Sequence, residues 1–195
     1  METTRNLREA FRDMTPDEMR AASREAELDT WRTDNRFCGR CGAAMQPHAN
    51  TRERAFVCPS CGYTSYPKIA PAVIVLVTKG EKVLLQRNTH YRGVVWSLVA
   101  GFVDPGENLE EAVRREIREE ASIEVKDIRY FGSQTWPFPS NIMIGFRAEH
   151  ASGDLRPDGE EVVESNWFAR DRLPEIPRPG SIARAMLDAW VAGTC

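Results

Sequence analysis

The chain has 195 residues, 42% of them apolar and 28% charged, with a formal net charge of −3. That length holds one full core plus a small appendage, and the slight acidity excludes a general nucleic-acid binder, which needs a marked basic excess. No run approaches the ~18 apolar residues of a membrane span, and METTRNLREAFRDM lacks the apolar core of a secretory signal, so a cytoplasmic protein is expected.

Residues 1–36 form a charged arm without strand signals. Thr15-Pro16-Asp17-Glu18 reads as a helix start, with Thr15 as N-cap, Pro16 in the first turn and Glu18 completing a capping box. The helix should run from about Pro16 toward Trp31. Its expected role is structural, packing on the rest of the chain or on a second subunit.

Residues 37–68 carry Cys38-Gly-Arg-Cys41 and Cys58-Pro-Ser-Cys61, two CxxC knuckles separated by 16 residues. Each knuckle lets two thiolates grip one ion, and the two together complete a tetrahedron around Zn²⁺. A redox pair or an iron–sulfur cluster is the alternative. Four thiolates leave no open coordination position, so such a zinc is structural, one per chain. The weak basic excess of this segment could greet a phosphate but not hold a duplex. Cys195, the fifth cysteine, stands apart as a free terminal thiol.

From about Ile69 the pattern becomes α/β. Ala72–Val77 is a continuous β-branched run, as in a strand buried on both faces, and a turn at Lys79-Gly80-Glu81 leads to a partner strand at Lys82–Arg87. Further strands fit Trp96–Val99, Ile128–Gly132, Ile142–Ala148 and Val162–Phe168, with a closing helix at Ser181–Val191. The expected architecture is an α/β/α sandwich around a mixed sheet, residues 69–195, preceded by the cysteine module and the arm.

The segment GFVDPGENLEEAVRREIREEASI, Gly101–Ile123, is a helix that places acids where core belongs. Leu109, Ala112 and Val113 make an apolar stripe, and its next positions are Glu116 and Glu120, with Glu119 one turn on from Glu116. Three carboxylates aimed inward repel one another and are costly to bury unpaired. A divalent cation with oxygen ligands, Mg²⁺ or Mn²⁺, resolves this. The alternative is a salt-bridged helix in which Arg115 pairs with Glu119 at i,i+4.

This segment resembles the Nudix hydrolase box: Gly, five residues, Glu, seven residues, then Arg-Glu-apolar-x-Glu-Glu-x-Gly-apolar. Gly101, Glu107, Arg115, Glu116, Ile117, Glu119, Glu120 and Ile123 match, and Ser122 stands where the family has Gly. A left-handed Ser at that helix exit costs roughly 1 kcal/mol. Downstream, Ser133-Gln-Thr-Trp-Pro-Phe-Pro-Ser-Asn141 is similar to the SQPWPFPxS signature of the family's NADH pyrophosphatase branch, with Thr135 for Pro and Asn141 for the last Ser. The zinc ribbon before the catalytic domain, Tyr66-Pro-Lys-Ile-Ala-Pro71 and Pro179-Gly-Ser-Ile-Ala-Arg184 carry the same resemblance, while most of the larger N-terminal domain of longer members is missing.

The resemblance implies roles position by position. Glu116, Glu119 and Glu120 hold two or three divalent ions with the Ala100 carbonyl, and Glu161 is a further ligand from outside the box. Tyr66 and Phe102 flank the nicotinamide side. Glu53, Gln134, Thr135, Trp136, Pro137, Phe138, Pro139, Ser140, Asn141 and Ala183 line the ligand, in a site built across a homodimer. The implied reaction splits the pyrophosphate of NAD(H) into AMP and nicotinamide mononucleotide, with RNA whose 5′ end is NAD as a further substrate. Glu119 or Glu120 takes the proton from the attacking water. A broader ADP-sugar or FAD pyrophosphatase, and a non-catalytic ligand-sensing or nucleic-acid-binding protein, are the alternatives.

Overall fold

The computed structural model describes residues 7, 9–11, 13–89 and 95–194; Cys195, expected as a free thiol, lies outside them. The chain divides into two compact units, one of residues 1–70 with 135–141 and one of 71–134 with 142–195.

In the first unit, α1 (Pro16–Asp34) starts as its sequence dictates: the Thr15 hydroxyl accepts from the Glu18 N–H while the Thr15 N–H donates to the Glu18 carboxylate. The helix runs three residues beyond Trp31 to an Asn35 cap. Trp31 stacks on Phe56, centroids 4.6 Å apart at 20°, and its indole N–H donates to Ser65 Oγ, which in turn donates to Asn35. The arm therefore packs on the cysteine module of its own chain, whose three short antiparallel strands are β1 (Gln46–Pro47), β2 (Phe56–Val57) and β3 (Thr64–Ser65).

The second unit is built on a six-stranded mixed sheet. Its strands are β4 (Ala70–Lys79), β5 (Lys82–Asn88), β6 (Val99–Phe102), β7 (Glu124–Trp136), β8 (Asn141–Ser152) and β9 (Val162–Ala169). The order is β7-β8-β4-β5-β9, with β6 antiparallel to β4. Side chains on a strand alternate between faces. Val73, Val75 and Val77 of β4 pack against Val113, Ile117 and Ala121 of helix α2 (Leu109–Ala121), while Ile74 and Leu76 pack against Ile182, Met186 and Leu187 of α3 (Ile182–Val191). A strand covered by a helix on each side must be apolar throughout, which is why Ala72–Val77 reads as an unbroken run.

Two strands differ from their sequence outlines. The strand expected at Trp96–Val99 begins instead at Val99, in register with Val75 through Phe102 opposite Ala72; upstream, Ser97 makes only a bridge to Gln86. The strand expected at Ile128–Gly132 extends from Glu124 to Trp136, so the aromatic signature occupies the tip of the β7–β8 hairpin.

Candidate metal and substrate site

Helix α2 is entered through a second capping box, Asn108 with Glu111. From there the 3.6-residue repeat turns Ala112, Val113, Glu116, Ile117, Glu120 and Ala121 inward. Glu116 is 9% exposed and Glu120 5%, while the Glu119 side chain is 58% exposed. Of the three acids expected to point inward, Glu116 and Glu120 do so, while Glu119 falls off the buried stripe and faces solvent beside Arg115.

Arg115 organises the surroundings. It grips Glu107 bidentately (Nε–Oε1 2.6 Å, Nη2–Oε2 2.9 Å), donates through Nη1 to Glu116 (2.8 Å) and Glu119 (3.0 Å), and through Nη2 to the Phe102 carbonyl (2.7 Å). The fork geometry of guanidinium suits this work. The i,i+4 pair with Glu119 exists, but as one of five bonds tying strand β6, the following loop and α2 together. The same bonds hold the Glu107 carboxyl below the usual carboxylate range.

Glu120 has no such partner: among the described residues no ion pair reaches it. Burial, then the charges of Glu116, Glu161, Asp158 and Glu119, push its carboxyl up to about 8. Glu116 is raised as well, burial outweighing the help from Arg115. Glu161 thus lies close enough to be felt by both buried acids, and Asp158 joins it at Glu120. Glu161 is held through its backbone carbonyl, which accepts from the Thr89 N–H and hydroxyl, and Asp158 Oδ1 accepts from the N–H groups of Glu160 and Val162. Beside the acids, a Cβ on Gly101 would run into the Glu116 carboxylate, so any side chain there must push that carboxylate out of its place. Ala100 precedes it on β6, opposite Ile74. Gln86 donates to the Glu120 carbonyl (3.1 Å) and pins the helix from below.

In the first unit the four sulfurs of Cys38, Cys41, Cys58 and Cys61 lie within 4.8 Å of one another. The Cys38–Cys61 and Cys41–Cys58 separations are 3.7 and 3.5 Å. A tetrahedral zinc with ~2.3 Å bonds needs sulfurs about 3.8 Å apart, so the cluster fits zinc. N–H groups of Cys61 and Ser60 aimed at Cys58 pull its thiol below the usual thiol range, while the neighbouring thiols push Cys61 the other way. Among the described residues, no three of the glutamate carboxylates converge to the same distance.

Residues 68–189 match the NUDIX domain, and residues 34–66 match the NADH pyrophosphatase zinc ribbon domain. The chain belongs to the Nudix family. It is 42% identical over 186 residues to the NAD-capped RNA hydrolase NudC of Stutzerimonas stutzeri, covering 95% of this chain and 67% of that protein. To the protein of the same name from Pseudomonas aeruginosa it is 46% identical, covering 86% of this chain and 59% of the relative. The chain thus spans about three fifths to two thirds of these relatives. A crystal structure of a NUDIX hydrolase from Nitrosomonas europaea superposes with a TM-score of 0.67 at 28% identity, over 80% of this chain and 90% of the other.

The remaining Nudix positions fall into place unit by unit. In the first, Glu53 and Tyr66 are exposed, and the Thr135–Asn141 loop is tied down by its own polar groups. Ser140 donates to the Lys68 carbonyl (2.8 Å), and Asn141, nearly buried, donates to the Phe138 carbonyl (3.3 Å). Pro137 is buried and Pro139 exposed. Trp136 and Phe138 meet edge to face, centroids 5.0 Å apart at 79°. They do not lie parallel to each other. In the second unit, Phe102 is exposed, and Gln134 donates to the Gly180 carbonyl and accepts from the Ile182 N–H, clamping the start of α3. Ala183, one residue on, is buried against the sheet.

Sequence reasoning missed Asp158, the hub role of Arg115, and two arm residues at the aromatic loop, Phe11 and Glu27. The one signal for the last was Thr135, the departure from the signature.

Proposed function

We propose that this chain hydrolyses the pyrophosphate of NAD(H) to AMP and nicotinamide mononucleotide, and that NAD at the 5′ end of RNA enters the same site. The observation that carries the reading is the buried acid pair of α2, Glu116 and Glu120, raised in pKa and faced by Glu161. Carboxylates so placed are ligands awaiting hard cations, Mg²⁺ or Mn²⁺. The zinc ribbon, the aromatic signature and relatives named NAD-capped RNA hydrolase support the dinucleotide as substrate.

The divalent ions, when bound, neutralise the diphosphate and lower the pKa of a coordinated water. Glu116, Glu119, Glu120, Glu161 and the Ala100 carbonyl would hold them. Arg115 keeps Glu116 and Glu119 oriented, and Gly101 lets β6 approach Glu116. Glu119 or Glu120 would take the proton from the attacking water. Exposed Phe37, Tyr66 and Ile69 of the first unit are apolar surface that a homodimer would cover. In this reading the enzyme works in the cytoplasm, with an arm at 1–36, a ribbon at 37–68 and a catalytic domain at 69–195.

The test is a panel of NADH, NAD⁺, FAD, ADP-ribose and NAD-capped RNA with each metal, products separated by chromatography. Release of AMP and nicotinamide mononucleotide with divalent metal is expected. Faster cleavage of FAD and ADP-ribose than of NAD(H) would replace this reading with the broader pyrophosphatase.

A further inference from the structure

The N-terminal arm reaches the aromatic signature loop within the first unit. Phe11, 4% exposed, packs its edge on Trp136 (centroids 6.1 Å, 76°) and leans on Phe138 (5.6 Å, 59°). Glu27 of α1 accepts a 3.0 Å hydrogen bond from the Thr135 hydroxyl. The helix that carries Glu27 is itself anchored on the zinc ribbon through Trp31, Phe56 and Ser65. Thr135 is also the place where the chain departs from the proline of the signature, and proline has no hydroxyl to give. The departure and the arm are therefore matched: a residue odd for the signature is the one α1 holds.

We infer that Phe11 and Glu27 are positioning residues that hold the Thr135–Asn141 loop, with Trp136 and Phe138, in the arrangement that receives the dinucleotide. The inference rests on the proposed NAD(H) activity. Trp136 meets both Phe11 and Phe138 edge to face, and the two phenylalanines lean on each other, so the three rings constrain one another's orientation. The hydroxyl–carboxylate bond fixes the strand end from which the loop departs. Both residues belong to the first unit and the metal site's acids to the second, so in this inference the arm governs substrate capture and leaves the cleavage step alone.

The experiment measures KM and kcat for NADH in the full-length metal-loaded protein and in Glu27→Ala, Glu27→Gln, Phe11→Ala, Thr135→Val and Glu27→Ala/Thr135→Val, with zinc content checked for each. Amide hydrogen exchange over 135–141 is followed without substrate. Glu27→Ala and Thr135→Val should each raise KM about tenfold, the worth of one hydrogen bond to a charged group, with kcat nearly unchanged. The double variant should add nothing beyond either single one. Glu27→Gln, which keeps an acceptor, should recover most of the loss. Phe11→Ala should raise KM by roughly 2- to 10-fold and speed exchange in the loop. Unchanged KM, or full additivity of Glu27→Ala and Thr135→Val, overturns the inference; a fall in KM overturns it in the other direction, making the arm an obstruction. If Glu27→Ala does not fold, Phe11→Ala decides through KM and loop exchange, since Phe11 is not among the residues assigned to line the ligand. If the wild type cleaves FAD or ADP-ribose but not NADH, the proposed function falls and the same variants are read on that substrate. A wild type inert toward every diphosphate overturns both.

Discussion

Replacing Glu120 by Gln should stabilise the metal-free protein and abolish its activity. The carboxyl is 5% exposed, surrounded by Glu116, Glu161, Asp158 and Glu119, and ionises near 8 in the fold against 4.5 in an unfolded chain. A carboxyl whose folded pKa is raised keeps its proton in the native state after the unfolded chain has lost it. The metal-free fold therefore loses stability as pH climbs from about 4.5 to about 8. At pH 7 that loss amounts to about 3 kcal/mol. The amide of Gln imitates the protonated acid at every pH and escapes it.

In a domain of this size about 3 kcal/mol corresponds to roughly 6–12 °C in melting temperature. Thermal melts in chelator should place Glu120→Gln above the wild type at pH 7–8 and level with it near pH 4. Adding Mg²⁺ or Mn²⁺ should narrow the gap at pH 8. At one hundred times its dissociation constant a ligand stabilises by ~2.7 kcal/mol, and the amide, a weak partner for a hard cation, gains little of this. Cation affinity of the wild type should likewise rise with pH across the same window, because binding displaces a proton. Turnover in Glu120→Gln should fall at least 100-fold. A variant less stable than wild type in chelator at pH 8, or one that keeps metal-dependent turnover, refutes the reasoning.

Ser122 closes α2 at φ 57°, ψ 28°, so Ser122→Gly should stabilise by roughly 1 kcal/mol with turnover unchanged, measured by urea titration. Gly101→Ala should cut metal affinity and activity together, because the new methyl displaces the Glu116 carboxylate; an unaffected enzyme would show that β6 can retreat. Metal analysis should find about one zinc per chain, and Cys58→Ser should lower both zinc content and the melting temperature. Iron, or no metal, in the purified protein would reject the ribbon. Trp136→Ala should raise KM for NADH about 5- to 150-fold by loss of a stacking surface, while the acids keep their capacity to cleave.

What the sequence made legible is what depends on spacing along the chain. The inward turn of Glu116 and Glu120 follows from a 3.6-residue repeat over 12 positions, Leu109 to Glu120. The zinc cluster follows from two turns that each carry both of their thiolates. The burial of Val73 through Val77 follows from an apolar run no one-sided strand would carry. Arg115 was visible as a place in the box, but its grip on Glu107, eight residues back, and on the Phe102 carbonyl depends on where β6 runs beside α2. That strand is set three residues later than its apolar outline suggests, by its register with β4.

The aromatic loop marks the other limit. Local sequence specified two rings separated by a stiff residue, and nothing in nine residues could say that they would meet edge to face. Phe11 packs on both rings, and Glu27, 108 residues from Thr135, bonds the strand end. A contact between such distant partners leaves no periodic trace, so its sole mark is chemical: a hydroxyl where the signature has proline. Departures from a motif are then the places to look for what holds the motif. Ser122 is the contrasting case. It too departs from the Nudix pattern, yet its hydroxyl is exposed and its strain follows from the backbone angle alone. One departure reports a partner elsewhere in the chain, and the other is a cost the fold carries without one.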